Sequence, residues 1–109
     1  MPRDLRSTVA VTDEPARSRF ELRAGDELLG WLDYRPAGHS VILAHTEIAQ
    51  AYERQGLGGT LVRGAVERIA RGGRKVLPLC PFAAAYIDRH PELVVHVDRA
   101  LRPRSTPTT

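Results

Sequence analysis

Between Arg17 and Ala24 the side chains alternate, with Phe20, Leu22 and Ala24 set against Arg19, Glu21 and Arg23. A period of two places one set on a buried face and predicts a half-buried strand. Gly25-Asp26 reads as a tight turn into a second strand, from about Glu27 to Tyr34, with Trp31 as one of its core residues. After the Pro36-Ala37-Gly38 break a third strand runs from about Ser40 to Ile48, completing an antiparallel meander. The pattern changes at Gly56, where Leu57, Leu61, Ala65 and Ile69, with Val62 and Val66, recur at three- and four-residue spacing. That is the signature of an amphipathic helix, which Gly72-Gly73 closes because glycine takes the left-handed conformation beyond a helix end. Lys75 to Cys80 then reads as a short buried strand, and Pro81 suits the first turn of a second helix that ends near His90-Pro91. Leu93 to Val97 reads as short and β-like.

This order predicts an α+β fold with a mixed, mostly antiparallel sheet and two main helices. The third strand, first helix and fourth strand form a crossover, which places those two strands parallel or nearly so. With 109 residues there is room for one core. Residues 9–98 are taken as a single domain and residues 1–8 and 99–109 as loose termini, the last stretch because it has no apolar period and two prolines. No internal repeat is present.

A hydrophobic share of 42% and a charged share of 27% fit an ordinary folded domain. No run approaches the roughly 18 apolar residues of a membrane span, and Met1 to Arg6 lacks the apolar centre of a secretory signal. The expected location is the cytoplasm, with no membrane partner. One cysteine, Cys80, excludes an internal disulfide framework and a cysteine-cluster zinc site. His90 and His96, even with His45 or Glu47, lack recognised metal-ligand spacing, so no metal site is expected. The net charge of +3 favours any polyphosphate ligand by long-range attraction. The arginines are scattered and no aromatic stripe accompanies them, so nucleic acid is not the expected partner.

The turn Gln55-Gly56-Leu57-Gly58-Gly59-Thr60 lies between a strand and an amphipathic helix. Its glycines clear side chains from a helix start whose first N–H groups have no intrahelical partner, and the helix dipole adds partial positive charge there. An anion can then approach the main chain closely, so the turn is a phosphate cradle. No Gly-Lys-Ser/Thr follows, which excludes a P-loop, and the dinucleotide fingerprint spacing is missing. The segment Glu53-Arg54-Gln55-Gly56-Leu57-Gly58 resembles the pyrophosphate signature Gln/Arg-x-x-Gly-x-Gly/Ala of the GNAT superfamily of N-acetyltransferases, with Glu53 departing at the first position. Cys80-Pro81-Phe82 and His90-Pro91-Glu92 are similar to segments of a small GNAT subfamily of about a hundred residues.

The resemblance implies a minimal acyl-CoA N-acyltransferase that takes acetyl-CoA as cosubstrate and an amine of a small molecule or protein as acceptor. It implies that the third strand and the Lys75–Cys80 strand splay apart, with the pantetheine arm between them on backbone at Glu47 and Ile48. Gln55, Gly56, Leu57, Gly58, Gly59 and Thr60 would hold the diphosphate. No segment supplies the extra N-terminal helices of longer members, so the acceptor side is expected to be open or completed by a second copy in a homodimer. A non-catalytic or weakly catalytic acyl-CoA-binding module is the alternative.

An amine such as lysine, with a pKa near 10.4, needs on the order of 4–5 kcal/mol to be neutral at pH 7. Glu47, at the end of the third strand, is the first candidate for base or water holder, and His45 shares its face two residues earlier. A solvated carboxylate and a structural histidine are the plainer readings. Cys80, between a strand and a helix start, is a candidate acetyl carrier or an inert core residue. Tyr86 matches, by the resemblance, a helix tyrosine that protonates the departing thiolate, with simple packing as its other reading.

Overall fold

The structure, a computed structural model, describes residues 8–101. Its sheet has five strands in chain order: β1 (Ala10–Glu14), β2 (Arg19–Ala24), β3 (Glu27–Ala37), β4 (Ser40–Ile48) and β5 (Lys75–Pro78). β1 to β4 are antiparallel and β5 lies parallel to β4. Helix α1 (Leu57–Arg71) joins β4 to β5, and α2 (Pro81–Asp88) and the short α3 (Pro91–Val94) follow. This is the expected mixed, mostly antiparallel α+β arrangement, with one strand more.

Glycine sets both hairpins of the meander. Gly25 and Gly38 are each the first central residue of a two-residue turn, with φ of 60° and 63°, the left-handed backbone that such turns require at that position. β3 runs on past Tyr34 to Ala37 although Pro36 has no N–H to give. Pairing with β2 ends at Arg19↔Asp33, so that edge of β3 is open where the proline stands.

The extra strand, β1, pairs along β2 from Ala10↔Arg23 to Glu14↔Arg19. Its inward anchor is Val11, which meets α1 at Gly64, where a Cβ would stand 2.6 Å from the valine Cγ2. The expected β-like tail at Leu93 to Val97 is corrected: Pro91 opens α3, and Leu93 and Val97, four residues apart as in a helix, both turn into the core. Only Val97 bridges a strand, parallel to Val76. β5 also stops two residues earlier than expected, because Leu79 and Cys80 both donate their N–H to the Leu43 carbonyl as the chain turns.

Two β-bulges decide which side chains face the helices. Leu29 is the extra residue opposite β2, since Leu22 pairs with Gly30 while Arg23 pairs with Leu28. Ala44 is the extra residue opposite β3, since Tyr34 pairs with Leu43 while Asp33 pairs with His45. On β4, therefore, Val41 and Leu43 face the helices before the bulge, and Thr46 and Ile48 after it. His45 and Glu47 fall on the other face, beside Asp33 and Trp31.

The core is the helix-facing layer. Phe20, Leu22, Leu32, Leu43 and Val76 from the sheet are buried against Leu61, Val62, Ala65 and Val66 of α1 and Ala83 and Ile87 of α2. The opposite face has a polar cover of its own. Glu21 is buried there between Arg19 and Arg23, with ion-pair distances of 2.7 Å to each. Arg19 also lies over the Trp31 ring at 5.0 Å. Trp31 is thus half-buried beneath an arginine, not in the main core. Burial pushes the Glu21 carboxyl up, but the two guanidinium groups together outweigh it and the net shift is downward.

Candidate active site

β4 and β5 pair from Ser40↔Lys75 to Leu43↔Pro78 and no further. Beyond that point β5 has turned into α2, while β4 continues from Ala44 to Ile48 with only β3 beside it. The divergence opens a notch, and a cleft of about 420 Å³ extends from it to the start of α1. Thr46, Glu47 and Ile48 form one wall, Tyr52, Glu53 and Arg54 the loop side, Gly56 to Gly59 the floor at the helix start, and Phe82 the α2 side. Gly30 shapes the β4 wall from behind. A Cβ there would come 2.5 Å from the Glu47 carbonyl and 2.6 Å from Ile48 Cδ1, so glycine lets Ile48 lie directly over β3.

The chain enters α1 through two left-handed residues, Arg54 at φ 69° and Gly56 at φ 74°. The helix begins bonding when the Thr60 N–H reaches the Gly56 carbonyl at 3.3 Å. The N–H groups of Leu57, Gly58 and Gly59 precede that bond and have no intrahelical acceptor. They open on the cleft at the positive end of a fifteen-residue helix. A diphosphate fits this cradle, with Arg54 adding a cation at its rim. Glu53 and Glu47 are on the lining too, and they disfavour an anion near themselves.

Gly58 and Gly59 also serve helix packing, which the sequence did not reveal. A Cβ on Gly58 would meet Phe82 Cζ at 2.7 Å, and one on Gly59 would overlap the Tyr86 ring, with Cδ1 and Cζ both at 3.1 Å. Two aromatic residues one turn apart on α2 are thus seated on two consecutive glycines of α1.

Of the residues singled out above, Glu47, Ile48, Gly56, Leu57, Gly58 and Gly59 line the cleft, whereas Gln55 and Thr60 lie beside it. His45 does not line the cleft but is bonded to a residue that does, its Nε2 lying 2.8 Å from Glu47 Oε1 with both side chains half-exposed. Cys80 caps α2 and is 4% exposed, its sulfur 3.4 Å from the Thr46 hydroxyl. Tyr86 stands apart from these groups. Its ring lies between Gly59 and the His90 ring, and its hydroxyl is beside Arg63. Tyr86 packs on the cleft residue Gly59 without itself being on the lining.

Thr46, Tyr52 and Phe82 are the lining residues that sequence reasoning missed. Phe82 sits inside the quoted Cys80-Pro81-Phe82 segment, which was the available signal. Thr46 had none, because the bulge at Ala44 alone turns it toward Cys80. Among the described residues no helix is long and apolar enough to cross a membrane, and no three His, Cys, Asp or Glu side chains are grouped as a metal site.

A family model for GCN5-related N-acetyltransferases matches residues 19–97, which span β2 to the Val97 bridge and so include every wall of the cleft. The chain belongs to that family. The N-acetyltransferase fold is also that of a solution structure of a GCN5-like N-acetyltransferase candidate from Staphylococcus aureus. The two align with a TM-score of 0.64 over 84% of this chain and 90% of that one, at 18% identity. Comparison with curated protein sequences gives no match. In this family member, then, the site is built from the parallel β4–β5 pair, its divergence and the glycine-rich start of α1.

Proposed function

We propose that this N-acetyltransferase uses acetyl-CoA as donor and transfers the acetyl group to an amine of a small molecule or protein. The observation that carries the reading is the coincidence, in one cleft, of a β4 edge left open by β5 and three acceptorless N–H groups at the start of α1. The first suits an amide-bearing arm and the second a diphosphate, and the span between them is bridged by one continuous lining.

The bound thioester supplies an activated acetyl group, so the protein's own work is orientation and proton transfer. Thr46 to Ile48 hold the donor's arm along the notch. With Glu47 ionised, His45 Nε2 donates to it and His45 Nδ1 is left to accept a proton, directly or through water. The acceptor nitrogen attacks the thioester carbon, the C–N bond forms, the C–S bond breaks, and the ammonium proton passes to the His45–Glu47 pair. Direct transfer is favoured over an acetyl-Cys80 carrier because the Cys80 sulfur is buried and outside the cleft lining, whereas Glu47 lies on it.

The test is a thiol-release screen with acetyl-CoA over polyamines, amino acids, aminoglycosides and lysine peptides, paired with calorimetric titration of CoA. Binding with acceptor-dependent release is the expected result. Binding without release for any amine supports the acyl-CoA-binding module instead. An acetyl increment on the Cys80 peptide that chases to amine would overturn the direct route.

A further inference from the structure

The segment His90-Pro91-Glu92 touches neither the notch nor the cleft lining, yet it is bonded at both ends to the two helices that meet there. His90 Nδ1 donates to the Tyr86 carbonyl at 2.6 Å, and the His90 ring stacks on the Tyr86 ring at 4.0 Å and 24°. Tyr86 is thereby held from behind, while its front packs against Gly59 without room for a Cβ. Glu92 accepts from Arg63 Nη2 at 2.5 Å, and Arg63 stands on α1 one turn beyond Gly59. Arg63 is held charged first by Glu92 and then by the Tyr86 hydroxyl, and Glu92 in turn is held ionised chiefly by Arg63. Between the two grips, Pro91 fixes the first turn of α3 and Leu93 anchors it in the core at 2% exposure.

We infer that His90-Pro91-Glu92 is a clamp: it presses Tyr86 onto Gly59 and fixes the first turn of α1, making His90, Glu92 and Tyr86 positioning residues for the donor's diphosphate. The inference rests on the acetyl-CoA reading of the cleft. The physical step is short. The N–H groups of Leu57, Gly58 and Gly59 are the part of α1 with no intrahelical bonds to keep it wound, and helix ends fray unless something outside holds them. Gly58 and Gly59 also carry the largest backbone entropy, so this turn depends on its neighbours more than most. Phe82 covers Gly58 but is 45% exposed and free to swing. Tyr86, trapped between Gly59 and His90, is the fixed support. Arg63 is occupied by Glu92, so its part is to tie α3 to α1 and not to reach for phosphate.

A loosened clamp should therefore weaken only those donors that carry a diphosphate. NMR titration of the full chain with acetyl-CoA and with S-acetylpantetheine, which has the thioester arm but no diphosphate, separates this from general loss of structure. His90→Ala should raise the Kd for acetyl-CoA at least tenfold and leave that for S-acetylpantetheine within twofold. Glu92→Ala should do the same, and Glu92→Gln, which still accepts a hydrogen bond from Arg63, should restore most of the affinity. If His90→Ala does not fold, His90→Phe, which keeps the stack and loses the bond to Tyr86, should show the same split between donors. Equal weakening toward both donors, or unchanged acetyl-CoA affinity in the folded variants, overturns the clamp alone. A wild-type chain that does not bind acetyl-CoA overturns the reading of the cleft and the clamp with it.

Discussion

Replacing Gly58 by valine separates the two duties of the glycine pair. The new side chain enters the cleft directly over the helix start, where its Cβ would lie 2.7 Å from Phe82 Cζ and 2.9 Å from Cε2. Those atoms are the far edge of a ring that is 45% exposed, so the ring swings outward and the fold loses little. Valine is a better helix residue than glycine by a few tenths of a kcal/mol, which roughly offsets the lost contact. Stability should then stay within about 0.5 kcal/mol of wild type, a melting shift of at most about 4 °C for a domain of this size. Binding is different, because the branched side chain stands where a diphosphate oxygen would meet the first N–H groups. Hydrogen bonds to a charged acceptor contribute about 1.5–3 kcal/mol each, so losing one predicts at least a tenfold rise in the Kd for CoA. Calorimetric titration with a thermal melt on the same sample measures both quantities. A variant that melts like wild type and binds CoA equally well would refute the phosphate assignment. Gly59→Ala provides the contrast: the Tyr86 ring cannot retreat past His90, so overpacking of about 1–3 kcal/mol should appear in the melt itself.

Three further outcomes follow from the fold. Gly30→Ala places a Cβ 2.5 Å from the Glu47 carbonyl, a backbone atom that cannot rotate away, and should destabilise the sheet by about 2 kcal/mol or more while distorting the β4 wall, read as a drop in both melting temperature and CoA affinity. Glu21 is held below its ordinary value of 4.5 in the folded state, so protonation favours the unfolded chain: its contribution is complete above pH 4.5 and fades as pH falls through the lower folded value, and Glu21→Gln should flatten acid unfolding in that window. Burial and the bond to Asp13 push the Tyr34 phenol up to about 12, and Asp13→Asn should lower its midpoint in an ultraviolet titration.

The sequence carried the parts of the fold that one short window specifies. Phe20 and Leu22 alternate with charged residues, and Leu57 to Ile69 repeat at helical spacing, so β2 and α1 are legible from local periodicity. β1 is not, because Ala10 to Glu14 holds one inward apolar residue and gains its place from Gly64 across the core. The tail at Leu93 to Val97 misleads by composition: its valines favour a strand, but Pro91 opens a turn of helix that runs to Val94 and leaves only Val97 to bridge the sheet. For the site, the glycine turn was visible and its second duty was not. That Gly58 and Gly59 must also admit Phe82 and Tyr86 is a fact of helix contact between residues more than twenty positions apart. Thr46 was hidden for the same kind of reason, since a bulge at Ala44 leaves no signature in the string Ser40 to Ile48.

On the proposed function, that bulge bears on how one strand of a small domain serves two substrates. In a regular strand, Leu43, His45 and Glu47 would share one face, and turning Leu43 into the core would take the other two with it. The extra residue at Ala44 resets the phase, so Leu43 and Thr46 face the helices while His45 and Glu47 emerge on the opposite side. Because β5 has already turned away at this point, the notch beside Thr46 is not closed by a neighbouring strand. On the proposed function, donor and proton acceptor therefore reach the same stretch of β4 from different faces. The thioester arm comes in from the α1 and α2 side, and the amine approaches from the side of His45, Glu47 and the polar cover around Trp31. A base placed on the donor's own face would compete with the arm for the notch. His45, behind the strand and outside the cleft lining, is left to the acceptor, with Glu47 joining it to the cleft, and the arrangement is achieved by one additional residue in one strand.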